Sequence, residues 1–136
     1  MVNPSMIRKL ATTACVALLA MQPVTASAFE FTFDWGAIPM CVSGNPNRVG
    51  SPTFNMSGVP AGTKQIKFVL RDIDVPSYDH GGGSVVYTTA NIPAGSFKYK
   101  SPCPPNGAHT YRWTATAVDA GGKVLGKATA KQRYPK

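Results

Sequence analysis

Apolar and polar residues alternate along most of the chain beyond residue 28. Over 29–35 the order is Phe, Glu, Phe, Thr, Phe, Asp, Trp, a period of two that marks a strand with one face buried. Ile66, Phe68 and Leu70 alternate with Lys67, Val69 and Arg71 in a second strand. Continuing that parity puts Asp72 and Asp74 on the same inward side. A third strand over 111–118 carries Tyr111, Trp113, Ala115 and Ala117 on one face, with His109 in line with them. Shorter strands are expected over 51–56 and over 84–91, where Val, Tyr and Thr are frequent and Pro93 ends the run. A last one is expected over 124–134, where Val124, Gly126, Ala128 and Ala130 alternate with Leu125, Lys127, Thr129 and Lys131.

The intervening stretches read as turns and loops. The segment 38–48 holds Gly44, Asn45 and Pro46, 57–64 is a turn-rich connector, and 94–100 is a crossing. The segment 76–83 is the most irregular, with Tyr78, Asp79, His80 and three consecutive glycines, and 119–122 has the composition of a hairpin turn. Nothing beyond residue 28 has the 3.6-residue period of an amphipathic helix. Many short strands joined by Gly/Pro turns predict an all-β, antiparallel domain of two packed sheets or a partly closed barrel.

Residues 1–28 have a different pattern. Arg8 and Lys9 precede an apolar run over 10–21, and Ala26, Ser27 and Ala28 form an A-x-A cleavage site, so the segment reads as a secretory signal peptide. The run is too short for a membrane span. One domain over 29–136 is then expected in the periplasm or secreted. The chain has 14 basic and six acidic residues, and taking Arg8 and Lys9 away with the leader leaves a net charge near +6. Along the sequence these cations are scattered and not gathered in a stripe, which argues against nucleic acid and for weak attraction to anionic ligands or surfaces, or merely for solubility. Cys15 leaves with the leader. Cys41 and Cys103 remain, an even pair in a compartment that permits a disulfide, with a free thiol at Cys103 as the alternative.

The densest chemistry lies over 101–113. Pro102, Cys103, Pro104 and Pro105 followed by Asn106 and Gly107 make a stiff loop, because proline fixes φ and Asn-Gly accepts a tight turn. That loop delivers His109 and Tyr111 to one strand face. An inward carboxylate at Asp72 or Asp74 needs donors, and this histidine and phenol are the evident candidates. The plainer reading has Asp72 capping a turn and His109 hydrogen-bonded in the core.

The order of these blocks resembles the phosphatidylethanolamine-binding protein family, in its bacterial, Raf-kinase-inhibitor-like branch. The matching blocks are Ser51 to Phe54, 57–64, Phe68 to Pro76, Asn91 to Pro93, Ser101 to Trp113 and 122–128, and the likeness runs over about 31–134. It implies a large antiparallel sheet with a smaller one beside it, here trimmed of most helical additions. It also implies a small cavity for phosphate, acetate or a phospholipid head group, walled by Asp72, Asp74, Pro104, Pro105, His109 and Tyr111. An imidazole beside a carboxylate is favoured in its charged form and attracts an oxyanion, while a phenol adds a donor. One departure stands out: the second histidine of the family's pattern falls at Val86, and His80, six residues upstream, is the candidate to replace it.

Three classes of function follow. The first is a non-catalytic, exported protein binding an anionic or phosphorylated small ligand. The second is an interaction module with a protein partner, such as a protease or an envelope protein. The third is a hydrolase using Cys103 or Asp72 with His109; against it, there is no serine in a nucleophile elbow, and a disulfide would remove the thiol. No cofactor motif is present, and His80, His109 and the aspartates lack the spacing of a metal site.

Overall fold

The computed structural model describes residues 20–23 and 27–136. The basic start, most of the apolar run and the first residue of the A-x-A site lie outside these residues. Among the described residues there is no helix, and none therefore that could cross a membrane.

Nine strands run in chain order: β1 (Glu30–Asp34), β2 (Arg48–Gly50), β3 (Thr53–Ser57), β4 (Gln65–Asp72), β5 (Gly82–Val86), β6 (Asn91–Ile92), β7 (Lys98–Lys100), β8 (His109–Val118) and β9 (Val124–Tyr134). They form an antiparallel four-stranded sheet in the order β5-β4-β8-β9, a three-stranded sheet β1-β3-β6 and a two-stranded ribbon β2-β7. The all-β expectation holds, and the alternation of residues gives the reason. In β4 and β8, Ile66, Phe68, Leu70, Asp72, Tyr111, Trp113, Ala115 and Ala117 are buried, while the intervening charged residues are exposed.

The four-stranded sheet packs against the smaller one through aromatic side chains. Phe54 of β3 stacks on Phe68 of β4 at 4.1 Å between ring centroids and meets Trp113 of β8 edge-on at 5.4 Å. Phe31, Phe33 and Trp35 complete this layer. Burying each such side chain contributes about 2–3 kcal/mol, which offsets the chain's high loop content.

Two expectations are corrected. The stretch 84–91 is not one strand: β5 ends at Val86, and β6 joins the other sheet. Between them the Tyr87 N–H donates to the Lys64 carbonyl and the Ala90 carbonyl accepts from Met56, so the chain changes sheets there. The ribbon β2-β7 appears where loops were expected, because three-residue strands are too short to show a period.

Candidate functional site

The site is built where β4 ends and β8 begins. Register pairs Asp72 with Tyr111 directly across the two strands, and His109 lies two residues earlier on the same face. The His109 Nδ1–H donates to Asp72 Oδ2 at 2.6 Å, while Asp72 Oδ1 accepts the backbone N–H groups of Asp74 at 2.9 Å and Val75 at 3.2 Å. Asp72 is 4 % exposed, so these three donors are what a buried carboxylate requires. The two readings of Asp72 both hold: one oxygen caps the turn after β4, and the other orients an imidazole.

Asp74 does not continue the inward parity. The strand stops at Asp72, and Asp74 is exposed, its Oδ2 accepting the Thr110 N–H at 2.8 Å. It pins the start of β8 without lining the cavity. Ligand atoms of Asp72, Asp74 and His109 do come within 4.8 Å of one another, but these carboxylates already accept four hydrogen bonds, so the arrangement is explained without an ion.

Around the Asp72–His109 pair lies a cavity of about 200 Å³, lined by Gly44, Pro46, Val75, Tyr78, His80, Pro104, Pro105 and Tyr111 with the pair itself. The proline loop forms one rim. Pro102 and Pro104 are fully buried, and the disulfide Cys41–Cys103, with 4.6 Å between Cα atoms, ties this loop to the segment before β2. Gly44 reinforces the junction by donating its N–H to the Cys103 carbonyl at 3.1 Å.

His80 folds into this cavity. It is 3 % exposed, its ring stands edge-on to Tyr111 at 5.4 Å, and its Nδ1–H donates to the Lys100 carbonyl at 2.9 Å. Its backbone carbonyl accepts the Lys100 N–H as well, so β7, absent from the sequence reading, is what holds His80 in place. Burial holds the His80 pKa below its ordinary value of 6.5, against the opposing pull of the Lys100 carbonyl and Asp72. Burial, and then the charge of Asp72, push the Tyr111 phenol well above its ordinary range, so it stays protonated as a donor. Val86, the position of the second histidine in the family's pattern, is 74 % exposed and does not line the cavity.

Both histidines use Nδ1 for the protein. In the neutral ring, Nε2 is then an acceptor, and it becomes a donor only when a proton is added. Next to the Tyr111 hydroxyl, the cavity therefore offers one fixed donor and two groups whose character follows protonation.

A β-sandwich with a small, mostly apolar cup and convergent polar groups is the architecture of a binding protein for a compact ligand. The family model for the phosphatidylethanolamine-binding proteins matches residues 28–134, and the chain belongs to that family. Its fold is similar to that of a phosphatidylethanolamine-binding protein homologue from Chlamydia trachomatis, at 19 % identity and a TM-score of 0.57 over 80 % of this chain and 98 % of the other. It is also similar to YbcL of E. coli, described as a member of the mammalian family, at 18 % identity and a TM-score of 0.57 over 79 % and 98 %. No curated protein matches the chain by sequence.

Proposed function

We propose that the chain is an exported, non-catalytic binding protein that takes an anionic or phosphorylated small ligand, or a phospholipid head group, into the cup formed by Asp72, His80, Pro104, Pro105, His109 and Tyr111. The observation that carries this reading is the 2.6 Å contact between His109 and the buried Asp72 at a cavity of about 200 Å³. Asp72 holds the Nδ1 proton of His109 and fixes the ring so that its Nε2 edge faces the cup, beside the protonated Tyr111 hydroxyl, which can donate to an anion.

Binding without catalysis is supported by the state of Cys103. This residue lines the cup, and its thiol is consumed in the disulfide, so the cysteine version of a hydrolase has no nucleophile. The same bond supports export, since disulfides persist in oxidising compartments such as the periplasm or the medium.

The test is a titration with phosphate, acetate and phosphoethanolamine from pH 5 to 8, followed by the imidazole resonances of His80 and His109. Saturable shifts that vanish in Asp72→Asn are expected. Resonances unmoved by all three ligands would rule the reading out.

A further inference from the structure

Cations that look scattered in the sequence share one face in the fold. The buried residues of β4 and β8 point to the core, and in β9 Ala128 and Tyr134 do the same, so alternation sends Lys67, Arg71, Arg112, Lys127, Lys131 and Arg133 outward. All six are exposed. Register sets Arg71 opposite Arg112 and Arg112 opposite Lys131, a row of three cations across three adjacent strands. A second row pairs Lys67 with Thr116 and Thr116 with Lys127, and Arg133 lies opposite Thr110.

Like charges directly opposite in a sheet are destabilising, and sheets usually relieve them with a cross-strand carboxylate. This face has none. The six acidic residues are elsewhere: Glu30 and Asp34 on β1, Asp72 turned inward, Asp74 and Asp79 in the loop after β4, and Asp119 in the turn after β8. Among the described residues the one ion pair is His109 with Asp72, so no carboxylate neutralises the six. Between the cations lie Thr110, Thr114, Thr116, Thr129 and Val69, all uncharged.

We propose that the outer face of β4-β8-β9 docks on an anionic lipid surface. The positions that carry these charges spread in two dimensions over a sheet face whose strands lie about 4.8 Å apart and whose same-side residues repeat about every 6.7 Å along each, which suits a plane of phosphates better than a single extended polymer. Clusters of four to eight basic residues have the charge density that anionic bilayers attract. The face lies on the opposite side of the sheet from the cup, so this docking is independent of what the cup holds. An anionic plane would also relieve the repulsion stored in the Arg71–Arg112–Lys131 row.

The experiment is co-sedimentation with phosphatidylcholine vesicles containing phosphatidylglycerol at low ionic strength. Binding is expected, and it should weaken as salt shortens the screening length. The double variant Arg112→Gln/Lys131→Gln should bind roughly thirtyfold more weakly. The double variant Arg48→Gln/Lys98→Gln, which removes the same net charge from exposed positions of the β2-β7 ribbon, should bind like the parent. Its thermal midpoint and that of the first pair confirm that both fold. Absence of binding at low salt, equal weakening in both pairs, or binding to soluble polyaspartate without binding to vesicles would each overturn the proposal.

Discussion

His80 sets a pH dependence that belongs to a single side chain. Folding depresses its pKa below 6.5 by burial, so between the folded and unfolded values the unfolded chain binds more protons. Stability is then full above about pH 6.5 and falls as pH drops through that value, levelling once the folded ring also protonates. His80→Gln removes this component, and denaturant titrations at pH 7.5, 6.5 and 5.5 should show a flatter profile for the variant. A variant that falls as steeply as the parent would show that His80 is not the group responsible. The sequence offered His80 as the candidate to replace the histidine missing at Val86, but nothing near it marks the contact with Lys100, twenty positions away, that seats it.

The edge strand β5 explains two of those glycines. A side chain at Gly82 would begin 1.8 Å from the carbonyl oxygen of Phe68, and one at Gly83 would begin 2.5 Å from the Phe97 ring. Backbone cannot give way as a side-chain tip can. Gly82→Ala should therefore cost at least about 3 kcal/mol, the upper range for single substitutions, and lower the denaturation midpoint or prevent folding. Recovery of the parent midpoint would mean that β5 does not lie this close to β4. Gly82 and Gly83 thus serve the packing of an edge, where the sequence read as an irregular loop. The split of 84–91 into β5 and β6 has a similar origin, since local propensity favoured strand on both sides of a change of sheet.

At the scale of the whole molecule the disulfide closes a loop of 62 positions, joining the segment before β2 to the proline loop. The chain-entropy argument gives it about 4 kcal/mol, a large share of the stability of a domain this size. Cys41→Ser/Cys103→Ser should lose that amount in urea titration and also weaken phosphate binding, because Gly44 and Pro46 line the cup through this tether. Full retention of both properties would leave the bond without a structural role. The pairing was legible from two cysteines in a small, exported-looking chain, though a free thiol fitted the same count.

The order of apolar and polar residues by itself determined the long strands β1, β4, β8 and β9 and the inward direction of Asp72, Tyr111 and His109, because a period of two leaves only one side for the core. It could not determine what crosses between strands. Register brought Asp72 level with Tyr111, three-residue strands too short to announce themselves seated His80, and Asp74 turned outward because the ladder ended two residues before it. Register also drew distant arginines and lysines into one face. Alternation is a local property of the chain, whereas proximity between strands is decided only when the sheets form.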